Sequence, residues 1–362
     1  MPTSRVLFIT SNGAGRGHLT RCMAIARRLP RTLAPVLFTL SEAYPVAVEQ
    51  GFFAEYFPSR RTSARFGETP KAWDRRFAIR LTEILDRYDP AAVVFDGTLP
   101  YPGLVQSVWR SPERTFVWCR RPLWKAGKPE AGLVYSGAFQ LVVEPGDFAA
   151  AADAGPTKAR EDGVFMVDPV LICDRDELLD RHAAARVLGL SPRRLNVLVS
   201  LGAGVVDDTE EVERAVTELL QRDPRVSVAV TRAPGRDGER FLPGATVIDR
   251  TPLCAYLRAF DFAVVASGYN SFHEVLLAGL PSLQLPNLKT AVDDQLTRAR
   301  AAEKRGLALV STGEAGSLKD SLQALLDDRF REEMAYKLRR VTLANGARLA
   351  ARRIAQLAEA SA

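Results

Sequence analysis

Val6-Leu7-Phe8-Ile9-Thr10-Ser11-Asn12-Gly13-Ala14-Gly15-Arg16-Gly17-His18 is the stretch that decides the architecture. Val6 to Ile9 reads as a buried strand, the glycines after it as a turn, and Leu19 to Leu29 as a helix. His18 is therefore expected at a strand–glycine turn–helix junction, on the first turn of the helix. Glycine lets backbone N–H groups come close to a ligand, and a helix N-terminus favours an anion. The same positive end disfavours an imidazolium, so His18 is expected to stay largely neutral and able to accept a proton. An anion-binding turn with an incidental histidine reads the same residues equally well.

Outward from this stretch, short apolar runs alternate with helical patterns. Val36–Leu40, Ala92–Phe95, Thr115–Trp118 and Leu141–Val143 read as strands, with helices at Tyr44–Gln50 and Phe77–Tyr88. The alternation argues for a mostly parallel α/β sheet. It restarts after Val164–Asp174, which holds Asp168-Pro169 and interrupts regular structure. Asn196–Ser200, Val226–Thr231, Thr246–Ile248 and Phe262–Ala266 then read as strands. Glu210–Gln221, Leu253–Ala259, Ser271–Ala278 and Gln295–Lys304 read as helices. The second half also opens on a glycine turn, Ser200-Leu201-Gly202-Ala203-Gly204. The expected domains are 1–165 and 166–340. A last helical stretch, Arg329 to Ala358, breaks near Asn345-Gly346, and its final piece (341–362) can lie back on the first domain. Two such domains, each with a glycine turn at a strand C-terminus, predict a ligand cleft between them.

Composition narrows the class. A chain of 362 residues exceeds one ordinary core. With 47% hydrophobic and 25% charged residues it reads as globular. A net charge of +6 suits anionic ligands or an anionic surface better than dedicated nucleic-acid binding. Cys22, Cys119, Cys173 and Cys254 show no metal-ligand spacing, and a reducing compartment is the simpler reading. The N-terminal apolar run, bracketed by Arg5 and Ser11, is too short for a signal peptide. No apolar segment approaches the roughly 20 residues of a membrane span. The expected location is the cytoplasm.

The richest chemistry lies between Ala266 and Gln295. A strand end, Ser267-Gly268, leads into a helix with Asn270 or Ser271 as its expected cap. Its first N–H groups can meet a phosphate. Glu274 lies one turn in, where a carboxylate can accept from vicinal hydroxyls such as a ribose diol. Gly279-Leu280-Pro281 ends the helix, and Asp294-Gln295 starts another, where acceptors and an amide can read sugar hydroxyls. Capping by Ser271 and Asp294 and a solvated face for Glu274 explain each residue singly; the ordered set favours a function.

With these motifs the chain resembles the family 28-type glycosyltransferases of GT-B architecture. That group includes the MurG-type N-acetylglucosaminyltransferases of peptidoglycan synthesis and the diacylglycerol sugar transferases. Asn12 to His18 is similar to that family's glycine-rich turn ending in His, and Ser200 to Gly204 to its second turn. Ser267 to Glu274 resembles its donor-nucleotide segment, and Asp293-Asp294-Gln295 its acidic–glutamine pair. The resemblance implies an α/β fold of two Rossmann-like domains facing across a cleft. It implies inverting transfer of a hexose-type sugar from a nucleotide diphosphate, UDP in preference to dTDP, to an acceptor hydroxyl. By it, Gly15, Gly17 and Gly202 line the two turns. Ser267, Gly268, Tyr269, Asn270 and Ser271 hold the diphosphate, and Glu274 holds the ribose. Asp294 and Gln295 hold the sugar, and the base meets backbone near Arg250. His18 is then the general base or acceptor positioner, with Asp96 to orient it or bind acceptor. Neither metal nor cofactor is expected, the nucleotide sugar being a substrate. In one departure, Leu171 follows Asp168-Pro169-Val170 where the family often carries Arg; Arg175, Arg120, Arg121 and Arg232 are the candidate replacement cations.

A second resemblance is to the nucleotide-sugar hydrolase of pseudaminic-acid synthesis, carried by Gly15-Arg16-Gly17-His18-Leu19-Thr20-Arg21-Cys22, with water as acceptor. The length of the chain and its aromatic, basic segment favour a larger acceptor. An inactive nucleotide-sugar-binding protein is the non-enzyme alternative, and the presence of both His18 and Glu274 argues against it. Phe52 to Arg80, rich in aromatics and arginine, reads either as a contact for an anionic membrane, at the inner face, or as a loop and an ordinary helix. Asp174-Arg175-Asp176 reads as a cap rather than a metal motif. His273, about 100° round the helix from Glu274, reads as packing.

Overall fold

Val6 to Ile9 is completely buried and forms the centre of β1 (Ser4–Thr10), as a run apolar on both faces must in a parallel sheet. The computed structural model describes residues 4–11, 15–128, 130–158, 163–202, 209–231 and 243–360. They form two units. The first comprises Met1–Gly146, Ala154–Ile172 and Asn345–Ala362; the second comprises Asp147–Asp153 and Cys173–Ala344.

In the first unit β1 is followed by α1 (Gly17–Ala26), β2 (Leu33–Thr39), α2 (Tyr44–Glu49), β3 (Phe53–Tyr56), α3 (Arg60–Ala64) and α4 (Pro70–Tyr88). Then come β4 (Ala92–Gly97), α5 (Pro102–Arg110), β5 (Thr115–Arg120), β6 (Leu141–Pro145) and β7 (Val164–Val167). The sheet runs β3-β2-β1-β4-β5-β6-β7, every pair parallel. Its winding reverses between β1 and β4, and that reversal opens a crevice at the carboxyl ends of the two strands. There Thr10 pairs with Asp96, and the Ser11 N–H donates to the Asp96 carbonyl at 2.9 Å. A Cβ on the adjoining Gly97 would lie 2.9 Å from Ser11 Cβ, so the crevice is closed tightly beneath.

Two strands differ from expectation. β3 and β7 are edge strands with mixed exposure, so neither shows the buried apolar run that marks β1. Helix α4 begins seven residues before the expected Phe77, because Thr69 caps it and Pro70 suits its first position.

The second unit contains α6 (Arg181–Leu188), β8 (Leu195–Ser200), α7 (Thr209–Gln221), β9 (Val226–Thr231), β10 (Thr246–Ile248), β11 (Phe262–Ala266) and α8 (Tyr269–Ala278). These are followed by β12 (Ser282–Leu285), α9 (Gln295–Glu303), β13 (Leu309–Val310), α10 (Ala315–Leu326) and α11 (Asp328–Arg339). Leu253–Ala259 forms a 3-10 helix, not the expected α-helix. The strand order β10-β9-β8-β11-β12-β13 repeats the reversal, now between β8 and β11. Period-two alternation sends Val197 and Val199 to one core and Leu198 to the other.

The chain then enters α12 (Ala347–Ala360), which packs on α1, β4, β5 and β7 of the first unit through Ala347, Ala350, Ala351, Ile354 and Ala358. The helix break at Asn345-Gly346 has a local cause. Asn345 Oδ1 accepts from the Leu171 N–H at 3.1 Å and its Nδ2 donates to the Leu171 carbonyl at 3.0 Å. A Cβ on Gly346 would fall 2.0 Å from the Asp168 carbonyl oxygen.

Candidate functional site

At the β1/β4 crevice of the first unit, α1 presents His18 and, three residues on, Arg21 toward the Asp96 carboxylate. His18 Nδ1 is 2.5 Å from Asp96 Oδ1. Arg21 Nη2 donates to Oδ1 at 2.5 Å and Nε to Oδ2 at 3.0 Å, a bidentate pair. Arg21 Nη2 also lies 2.8 Å from His18 Nδ1. Asp96 and Arg21 are 1% and 3% exposed, and His18 13%. Of the two groups touching Nδ1, only the carboxylate oxygen can accept a proton, which favours the tautomer with the proton on Nδ1 and the lone pair on Nε2. Among the described residues nothing hydrogen-bonds Nε2. Burial lowers the proton affinity of His18, the Arg21 and Arg121 charges lower it further, and Asp96 opposes them; the net direction is down. Burial pushes the Asp96 carboxyl up, but Arg21 and His18 outweigh it and hold it below the usual range. Cys22 and Cys119, beside the pair, are pushed up by burial and stay thiols.

At the β8/β11 crevice of the second unit, Ser200 ends β8 and Gly202 turns the chain with φ +81°, a left-handed conformation suited to glycine. Ser267 and Gly268 follow β11. The cap of α8 is Gly268, with no side-chain cap bond, which corrects the expectation of Asn270 or Ser271; those two lie inside the first turn. Ser267 is fully buried and its Oγ has no hydrogen-bond partner among the described residues. Glu274, half-buried on the next turn, makes no hydrogen bond or ion pair among the described residues, and burial raises its pKa to about 7. His273 is spent inside the protein: Nδ1 donates to the Tyr269 carbonyl at 2.7 Å and Nε2 accepts from the Phe148 N–H at 3.1 Å. The Tyr269 ring is buried and lies tilted against His273, with centroids 4.5 Å apart, so this residue offers the crevice its backbone.

Arg298, fully buried on α9, joins the remaining parts. Its Nε donates to Asp147 Oδ2 at 2.8 Å, Nη1 to the Ser267 carbonyl at 2.9 Å and Nη2 to Asp293 Oδ1 at 2.9 Å. Burial opposes its charge, but the two carboxylates outweigh burial and keep it protonated. Gln295 Nε2 donates to Asp293 Oδ2 at 3.1 Å and its Oε1 accepts from the Asn287 N–H at 3.0 Å. Asp294 caps α9, accepting from the Thr297 N–H at 3.0 Å and Thr297 Oγ1 at 2.8 Å. The Ser267–Gly268 turn and the Asp293–Gln295 loop therefore share one guanidinium.

Sequence patterning gives Arg21 a place in a motif but no partner, and gives Arg298 neither. Arg21 had a signal, the i,i+3 spacing that puts it on the face of His18. Arg298 had only its i+4 distance from Asp294, and its partner Asp147 is 151 positions away. Arg250 is exposed beyond β10 and hydrogen-bonds to none of these groups among the described residues. Gly15 and Gly17 flank the start of α1, where a Cβ on Gly17 would meet nothing within 4 Å. Asn12 to Ala14, Ala203, Gly204 and Arg232 lie outside the described residues. Around Asp174 the structure has a capping box, with Glu177 Oε2 accepting from the Asp174 N–H at 2.7 Å. In the Phe52–Arg80 segment Phe57, Trp73 and Phe77 face inward and pack together, while Phe66 is exposed. No helix among the described residues is long and apolar enough to cross a membrane.

Two parallel sheets of this order, each with helices on its faces and a glycine turn at the reversal, make up the GT-B fold, and the solved structures similar to this chain are glycosyltransferases of that fold. Spinosyn rhamnosyltransferase SpnG complexed with thymidine diphosphate superimposes with a TM-score of 0.60 at 16% identity, covering 96% of this chain and 98% of that one. By sequence the chain is similar to the UDP-N-acetylglucosamine–N-acetylmuramyl-(pentapeptide) pyrophosphoryl-undecaprenol N-acetylglucosamine transferase of Bacteroides thetaiotaomicron. Identity is 27% over 198 residues, 51% of this chain, and the match spans about half, 53%, of that relative. It is also similar to an uncharacterized glycosyltransferase of Methanosarcina mazei, 23% identical over 336 residues, 83% of this chain and 84% of that one. No family model matches the chain.

Proposed function

We propose that this chain is an inverting glycosyltransferase that moves a hexose-type sugar from a nucleotide diphosphate, a UDP-sugar in preference to a dTDP-sugar, to an acceptor hydroxyl. The observation that carries the reading is Glu274, a half-buried carboxylate without a hydrogen-bond or ion-pair partner among the described residues, one turn into a helix that no side chain caps. A ribose diol supplies the two donors such a group lacks. The N-terminus of α8 and the orphan Ser267 hydroxyl suit the diphosphate, whose charge grows as it leaves. Gly268 has an ordinary φ of −64°, and a Cβ there would meet nothing within 4 Å. The backbone there is open to close approach by a ligand. Asp294 and Gln295 keep further lone pairs and one N–H for the sugar beyond their bonds within the protein. The UDP preference follows the Bacteroides relative, whose name specifies a UDP-sugar.

In this reaction His18 Nε2 takes the proton of the acceptor hydroxyl while its oxygen bonds to the anomeric carbon. The bond from that carbon to the diphosphate breaks on the opposite side, which inverts the configuration. Asp96 stabilises the imidazolium through Nδ1–H, and the nucleotide diphosphate departs toward α8. No cofactor enters this scheme. Mass spectrometry of a panel of nucleotide sugars, with and without hydroxylic acceptors, tests it. A glycosylated acceptor with inverted anomeric configuration is the expected product. Free sugar formed equally with and without acceptors would replace transfer by hydrolysis, and no turnover with any donor would leave a binding protein.

A further inference from the structure

Asp96 is a carboxylate at 1% exposure. A group buried so deeply tends to take up a proton, and then it can no longer fix the histidine beside it. His18 alone would supply one N–H to one of its oxygens. Arg21 supplies a fork that covers both, from Nε to Oδ2 and from Nη2 to Oδ1. A guanidinium has only N–H groups and accepts nothing. With Nη2 at 2.8 Å from His18 Nδ1, the Nδ1 proton has a single acceptor to point at, Asp96 Oδ1.

We propose that Arg21 is a positioning residue: it fixes the tautomer of His18 with Nε2 unprotonated, and sets how readily the His18–Asp96 pair takes up a proton. The proposal rests on the reading of His18 as the base and deepens it. The cation that holds Asp96 in place also repels the imidazolium, so the pair remains unprotonated, and ready to accept the acceptor proton, at lower pH than a histidine–aspartate pair without Arg21. The other groups facing the pair are Cys22 on α1, Cys119 on β5 and Arg121 just after β5. Both thiols stay neutral, which leaves the two arginines as the opposing charges.

The test is a titration of ¹⁵N-histidine-labelled protein by NMR, without substrates. The chain has three histidines, so His18→Ala assigns the signal. In the wild type the Nδ1–H tautomer is expected throughout the neutral range. Arg21→Met should raise the pH at which the pair takes its first proton by about one unit, as loss of a cation within contact distance does. It should also mix the tautomers. Arg21→Lys keeps the charge but not the fork, so it should leave the protonation pH within about 0.3 units of the wild type while mixing the tautomers. Turnover of Arg21→Met is expected to fall on the order of 10²-fold, its acid limb moving up with the titration and donor affinity unchanged. An unmoved titration and an unmixed tautomer in folded Arg21→Met would overturn the proposal, as would an equal shift in Arg21→Lys. Should Arg21→Met fail to fold, Arg21→Lys decides through the tautomer. Normal turnover in His18→Ala would sink the base reading alone, and the titration would still judge Arg21.

Discussion

The two units share the order of six strands and the same reversal, the first adding β7 at its edge, yet they treat the crevice at that reversal in opposite ways. At β1/β4 the Asp96 carboxylate is answered from within, by Arg21 and His18, and among the described residues nothing hydrogen-bonds Nε2 of His18. At β8/β11, among the described residues, Ser267 Oγ has no hydrogen-bond partner and Glu274 no ion pair, while Asp147 and Asp293 are answered by Arg298. A closed network fixes a proton position; an open set of donors and acceptors waits for a ligand to complete it. On the proposed function, one topology serves proton transfer in one unit and binding in the other.

That division can be broken by experiment. The largest effect is expected from His18→Ala, which should cut turnover by about 10²–10⁴-fold, the range for loss of a general base, with nucleotide affinity by calorimetry unchanged. A large loss of nucleotide affinity instead would place His18 with the binding groups and erase the contrast. Next is Glu274→Ala, expected to weaken UDP by about 1.5–3 kcal/mol, as hydrogen bonds to charged groups do, in calorimetry on the folded variant. Unchanged affinity would remove Glu274 from the donor site.

A smaller effect sharpens the contrast through pH. Burial raises the Glu274 pKa to about 7 in the folded protein. The diol needs the ionised form, so UDP affinity should climb about tenfold from pH 6 to pH 8, and Glu274→Gln should flatten the climb. The sign for stability is the reverse. The folded form binds the extra proton, so this group's contribution is present at low pH and lost as pH rises through about 7. Thermal melts of Glu274→Gln should lack that loss. The smallest effect is none at all: turnover should survive EDTA, because a helix terminus meets the diphosphate and Asp174 is committed to a cap. Loss on chelation, restored by magnesium or manganese, would return Asp174 and Asp176 to consideration.

What was legible in the sequence follows burial. Val6–Ile9 and Phe262–Val265 are buried on both faces, and composition alone marks them. Phe53–Tyr56 and Val164–Val167 sit at sheet edges, where half-exposed residues blur the pattern. His18 and Glu274 stood out because chain-local features, a glycine turn and a helix start, frame them. Arg21 and Arg298 did not, because their partners are far along the chain: Asp96 stands at the end of β4, 75 positions from Arg21, and Asp147 lies 151 positions from Arg298. Asp294 shows a third case: capping and sugar binding ask for the same residue at the same place, so spacing cannot separate them.

The return of α12 to the first unit bears on how the polypeptide matures. Its buried face covers α1, β4, β5 and β7, yet it leaves the ribosome after the entire second unit. The unit that is translated first is therefore the one completed last. Until then the face that α12 covers stays open, and a nascent chain stalled before Asn345 would carry a finished second unit and an unfinished first one.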